Sequence, residues 1–173
     1  MRKILFFILP FFSFAFFSCD HVKVASASDS SAAQKNLEAH RMITKTFETG
    51  DVSGIDSVIA DDFVDHTDRG DMVGKDSLKS MIKWSHDNMK DMKMKAVKEL
   101  ADDDYVMAWM NMTGTSDGSM GMPKGPFDMN SIEVSKFRDG KVVEHWSFVN
   151  MQEMMKMMGG GMPGGGMDST KKK

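Results

Sequence analysis

Two histidines in this chain stand beside carboxylates on stretches that alternate as strands do. Asp65-His66 closes the run Asp62-Phe63-Val64-Asp65-His66, and Glu144-His145 lies within Lys141 to Asn150. A histidine next to a carboxylate is the pairing that proton transfer uses, because imidazole changes charge near neutral pH and the carboxylate can orient it. His66 reads in this sense as a donor or acid–base group at the rim of a pocket. The plainer reading of both pairs is a strand-end histidine and a solvated hairpin whose polar groups meet only water. His86, in Ser85-His86-Asp87-Asn88, falls late in a helical stretch and suits the negative end of the helix dipole. His21 and His40 have no partner in sequence. No His-x-x-x-His or Cys-x-x-Cys spacing occurs, so a zinc site is not supported. Soft sulfur is abundant, with 20 methionines, among them Met92/Met94, Met110/Met112, Met120/Met122 and a run from Met151 to Met167. Thioethers suit Cu(I), and they also fill cores adaptably.

The elements that must position these groups follow from periodicity. Asp139-Gly140 between two β-prone runs predicts a two-residue hairpin turn, since glycine takes a positive φ without a Cβ clash. Beyond the turn, alternation puts Val142, Glu144, Trp146 and Phe148 on one face and Val143, His145, Ser147 and Val149 on the other. Upstream, Leu37, His40, Arg41, Ile43, Thr44 and Phe47 keep helical spacing from Gln34 to a stop at Gly50. A short second helix capped by Asp51 or Ser53 reaches Ala60-Asp61, and a third runs from Lys75 or Asp76 to about Lys90. Strands are expected over Lys93 to Ala101, Tyr105 to Thr115 and Phe127 to Phe137, and a last short helix over Gln152 to Met158. On Tyr105 to Thr115 one face carries Trp109 and Asn111; on Phe127 to Phe137 one face carries Met129, Ser131, Glu133 and Ser135. Helices gathered ahead of an antiparallel-type sheet indicate an α+β fold. Phe47, Ile59, Phe63, Ile82, Trp109 and Trp146 are the expected core.

Met1-Arg2-Lys3 precedes the apolar run Ile4 to Phe17, which at about 1.5 Å per residue is too short for a hydrocarbon core of roughly 30 Å. It reads as the leader of a secreted protein. Ser18-Cys19-Asp20 then resembles a bacterial lipobox, which makes Cys19 the lipidated first residue of the mature chain and implies anchorage to a membrane of the bacterial cell envelope. One cysteine leaves no disulfide framework to detect. The expected division is a signal peptide over 1–18, an anchor and flexible tether over 19–33, one domain over 34–158 and a disordered Gly/Met/Lys tail over 159–173. A net charge of -3 offers no basic stripe for phosphates, so nucleic acid is excluded as a partner.

Several strings, in this order, resemble the SnoaL-like polyketide cyclase and ester cyclase family of the nuclear transport factor 2-like superfamily. They are Gly50-Asp51, Ala60-Asp61-Asp62-Phe63-Val64-Asp65-His66, Gly74-Lys75, Thr113-Gly114-Thr115, Asp139-Gly140-Lys141 and Glu144-His145-Trp146. The resemblance implies a cone-shaped barrel, its helices packed on a strongly curved mixed or antiparallel sheet around an apolar pocket, and a homodimer through the outer sheet face. It also implies acid–base chemistry on a polyketide ester with no metal and no cofactor. Carried onto this chain, the catalytic positions are His66 and His145. Where the family continues Glu-His-Trp with Asp, this chain has Ser147, and Asn150 stands where a further Asp is common. A hydroxyl is no proton acceptor at neutral pH, so Glu133 or Asp65 must supply the carboxylate. The ligand contacts expected with them are Asp65, Trp109, Asn111, Met129, Trp146 and Ser147. The sequence therefore predicts an envelope-anchored pocket protein for a small apolar or amphipathic molecule, without family-type cyclase turnover. Its alternatives are an ester cyclase or isomerase on a small carbonyl compound, and a Met-rich Cu(I)-handling lipoprotein.

Overall fold

The structure, a computed structural model, describes residues 30–119 and 122–157. Cys19, the expected leader, the tether up to residue 29 and the tail from residue 158 lie outside the described residues. Helix α1 (Ser31–Thr49) begins inside the stretch expected to be tether, because Ser30 is its N-cap and its Oγ accepts from Ala33 N at 3.0 Å. Gly50 ends it in the left-handed region at φ 70°, its N–H donating to Thr46 O at 2.8 Å. Asn36, buried on α1, donates to the backbone oxygens of Asp102 and Asp103 and so ties the helix to a strand turn across the domain. Helix α2 (Ile55–Val58) is a single turn with Gly54 as N-cap and no side-chain cap. Asp51 instead accepts from Ser53 N upstream, so the expected capping roles of both residues are corrected.

Strand β1 (Ile59–Thr67) takes up Ile59 to Asp61, expected to be helical, and β2 (Gly70–Val73) was too short and polar to stand out in sequence. Helix α3 (Lys75–Asn88) gives way to β3 (Met89–Ala101), followed by β4 (Tyr105–Ser116), β5 (Gly125–Arg138), β6 (Lys141–Val149) and α4 (Met151–Met157). Asp139 and Gly140 both have positive φ, 54° and 74°, as a two-residue hairpin turn between β5 and β6 requires. The six strands form one mixed sheet in the order β2-β1-β6-β5-β4-β3, with only the β1–β6 pair parallel. Register breaks in β1, β3 and β6 bend and twist these strands, which curls the sheet around α1 and α3. Among the described residues no helix is long and apolar enough to cross a membrane.

Ile55, Ile59, Phe63, Leu78, Ile82, Val106 and Val142 are the most deeply buried side chains of the main core between helices and sheet, all 3% exposed or less. Each fully buried side chain of this size contributes about 1.5–3 kcal/mol of hydrophobic stabilisation. Phe47 packs against this core only in part. Trp109 and Trp146 are corrected out of it. On β4 alternation turns Val106, Ala108 and Met110 inward, which leaves Trp109 48% exposed on the outer face. A second, smaller cluster of Met89, Met92, Phe127 and Met129 fills another part of the interior.

Candidate functional site

Inward positions on β5 are held by Ser131, Glu133 and Ser135, while Ile132 and Val134 point outward, an inversion of the usual apolar-in pattern. Register then assembles the rest of the site. Glu133 faces Ser147 and Ser135 faces His145 on β6, and the parallel ladder sets Asp65 of β1 against His145. His145 Nδ1 lies 2.8 Å from Asp65 Oδ1, and its Nε2 lies 3.1 Å from Glu133 Oε2. Ser147 Oγ donates to Glu133 Oε1 at 3.0 Å.

Burial alone would lower the pKa of His145, but the hydrogen bonds and charges of Asp65 and Glu133 outweigh it and raise the value to about 9. The ring is therefore an imidazolium at neutral pH, donating from both nitrogens. Burial likewise opposes ionisation of Glu133. The hydrogen bond and charge of His145, helped by the hydroxyls of Ser131 and Ser147, nonetheless hold its carboxyl below the ordinary glutamate value. One imidazolium between two carboxylates leaves the cluster with a net negative charge. Solvent reaches it from one side, because Ser147 is exposed and the His145 side chain is 25% exposed.

His40, which lacked any partner in sequence, joins this interior from α1: its Nδ1 lies 3.3 Å from Ser135 Oγ, and its Nε2 is buried with no partner among the described residues. Burial first, then the positive charge of His145, lowers its pKa and keeps it neutral. Alternation along β5 was the signal for Ser131 and Ser135, and helical spacing with Leu37, Ile43 and Phe47 put His40 on the inner stripe of α1, but nothing local marked its partner.

The remaining expected site residues lie elsewhere. His66 is on the outer face, its Nδ1 2.9 Å from Asp71 Oδ1 and its Nε2 3.2 Å from Glu144 Oε2, with the ring stacked on Trp146 at 4.8 Å. The hydrogen bond to Asp71 is the main cause of its raised pKa. Glu144, which also accepts from Lys136 Nζ at 2.6 Å, is lowered chiefly by that lysine. Glu144-His145-Trp146 is thus split by strand alternation, with His145 inward and its neighbours outward. The β6 bulge resets the faces so that Val142, expected beside Glu144, is buried opposite Phe137. Trp109 and Asn111 share the outer face, where Asn111 Nδ2 donates to Asp128 Oδ1 at 2.7 Å. Met129 faces inward, two positions before Ser131 and within the methionine cluster. Among the described residues no group of His, Cys, Asp and Glu is arranged to hold a metal.

A family model for SnoaL-like polyketide cyclases matches residues 37–158, from within α1 through α4. The chain belongs to the SnoaL-like polyketide cyclase family. Its fold is similar to that of TsrD from Streptomyces laurentii, at 18% identity over 76% of this chain and 98% of that one, with a TM-score of 0.64. A SnoaL-like polyketide cyclase from Agrobacterium tumefaciens str. C58 is 13% identical over 71% of this chain and 97% of the other, TM-score 0.63. An LEH-like epoxide hydrolase from M. tuberculosis is 13% identical over 74% and 92%, TM-score 0.61. No curated protein matches the chain significantly. In this SnoaL-like chain the curved sheet places one buried carboxylate–histidine–carboxylate group on its concave side.

Proposed function

We propose that this SnoaL-like protein binds a small, uncharged, amphipathic molecule on the concave face of its sheet and does not run family-type cyclisation. The observation that carries this reading is the lock on His145. Both ring nitrogens donate to carboxylates, so no imidazole edge is free to accept a proton. Glu133, held below the ordinary carboxylate range, is a weak base at neutral pH, whereas general-base catalysis favours a pKa near the working pH. The net negative charge disfavours carboxylate or phosphate ligands and favours hydroxyl donors that replace Ser147 on Glu133. Mass spectrometry of the denatured protein is expected to release a neutral ligand that Glu133→Ala no longer retains.

A second reading, acid–base turnover of a small carbonyl or ester compound, is favoured by one contact. Ser147 stands where the family has Asp, and Glu133 reaches that hydroxyl, so a carboxylate is present near the family position. Product formation from simple polyketide methyl esters separates the two. Binding alone predicts none, and turnover lost in Glu133→Ala would establish the enzyme reading.

The setting we propose is the bacterial envelope, with Cys19 acylated. Two or more acyl chains hold a protein stably where one is marginal, so Cys19→Ser is expected to move the protein from the membrane fraction to the soluble one. A membrane fraction unchanged by that substitution rules the anchor out.

A further inference from the structure

One part of the interior holds a concentration of sulfur that the carboxylate–histidine group does not use. Met94, Met112 and Met129 stand directly opposite one another on three adjacent strands, β3, β4 and β5. Direct cross-strand neighbours have Cβ atoms about 4.5–5.5 Å apart, so Met112 stands between Met94 and Met129, which lie two strands, roughly 10 Å, apart, and the flexible thioethers of both can turn toward it. Met129 is buried, Met112 packs against the same cluster, and Met94 lines a hollow of about 190 Å³ between α1 and strands β3 and β4.

Local backbone geometry adds two more sulfurs. Asp91 lies in the left-handed region at φ 53°, at a register break between Lys90 and Lys93. The extra residue shifts the alternation, so Met89 and Met92, three positions apart, are both buried. A residue with a Cβ is uncommon in that conformation, and here it serves to turn Met92 inward.

Apart from Met110, fully buried methionine is concentrated in the second cluster, while Met72 and Met81 pack only in part against the main core. The buried members of the main core are Ala, Ile, Val, Leu and Phe without a methionine, whereas three of the four buried residues in the second cluster are methionine. Thioethers are neutral, so a bound cation would keep its charge; beside Met94 the hollow is lined by Glu48 and Glu99, ion-paired with Lys45 and Arg41 respectively. Glu48 accepts from Met94 N at 2.8 Å, and Glu153 of α4 accepts from Asn130 N, next to Met129, at 2.9 Å. Sulfur donors without competing oxygen ligands select soft metals over Mg(II) or Ca(II).

We infer that the Met94–Met112–Met129 row is a binding site for a soft monovalent cation, Cu(I), with Ag(I) as its redox-stable equivalent. The site is separate from the proposed ligand site and stands whether or not that reading holds. The full chain is titrated with Cu(I) against a chromogenic competitor, alongside M94L, M112L, M129L and the triple variant; leucine nearly conserves methionine volume. The outer-face M107L is the control. Binding of one equivalent is expected, with each inner substitution weakening it by at least about tenfold, one decade of affinity, and M107L leaving it unchanged. The methionine tail is present in every variant, so an affinity that survives in the triple variant places the ion elsewhere and overturns the site, as does absence of binding by the natural chain. Methionine-methyl NMR of the natural protein with Ag(I) decides the matter without mutation. The methyl resonances of Met94, Met112 and Met129 are expected to shift while Met107 stays; static resonances for those three overturn the assignment.

Discussion

At the scale of residues, His145 concentrates the electrostatics of the interior. Its folded pKa, about 9, lies above the ordinary 6.5, so the stability it contributes is fully present below about pH 6.5 and is lost as pH rises through 9. Glu133 is shifted the other way, and its contribution is present above about pH 4.5 and lost on acidification. His40, held neutral by burial, costs the fold stability as pH falls below about 6.5, so the melting temperature is expected to be highest near pH 6.5 and to fall toward pH 9. A shift of this size corresponds to a loss on the order of 3 kcal/mol over that range. His145→Gln is expected to flatten the alkaline limb in thermal melts across pH; an unchanged limb would assign it to other groups. Glu133→Gln removes the negative charge beside the His145 imidazolium and one of the two oxygens that accept from Ser147 and His145, and is expected to lower stability more than Ser147→Ala does.

Among the elements, the strand turns and the helix ends were legible because they depend on local chemistry. Asp139-Gly140 makes its hairpin, and Gly50 stops α1. The helix start was displaced to Ser31 because Ser30, an N-cap by type, precedes a stretch with no apolar period. Face assignments were legible only where no bulge intervened. Alternation correctly separated Glu133 from Ile132 and Met110 from Trp109, but it does not say which set is inside. Polar Ser131, Glu133 and Ser135 turn out to be the inner set, so His66, Trp109, Asn111 and Trp146 fell on the wrong side of the sheet from the expected pocket. Non-local partners such as His40 with Ser135 depend on helix placement over the sheet and leave no mark in the chain. Gly114 of β4 illustrates the close packing this brings. A Cβ there would meet Phe127 Cζ at 2.8 Å, Phe127 Cε1 at 2.9 Å and Lys90 O at 3.1 Å. Gly114→Ala is expected to cost about 1–3 kcal/mol as overpacking, measured by urea unfolding; a neutral result would show that Phe127 has room to move.

For the whole molecule, the two faces of the sheet divide the work. The concave side holds the charged triad and the sulfur row. The outer side exposes Met107, Trp109, Ile132 and Phe148, each 42% to 59% accessible, with Trp109, Ile132 and Phe148 in one cross-strand row. Exposed apolar rows of this kind suit association, and we propose a homodimer through this face. Sedimentation is expected to show a dimer that Ile132→Glu converts to monomer, and a monomeric natural protein would refute it. The central claim, that the concave site is a locked ion triad built for binding, is tested most directly by NMR titration of the His145 imidazole in the folded protein. A titration near pH 9 that moves down in Glu133→Gln is the predicted result. An imidazole that titrates at or below about 6.5 would be a free base at neutral pH, and would contradict the lock on which the binding reading rests.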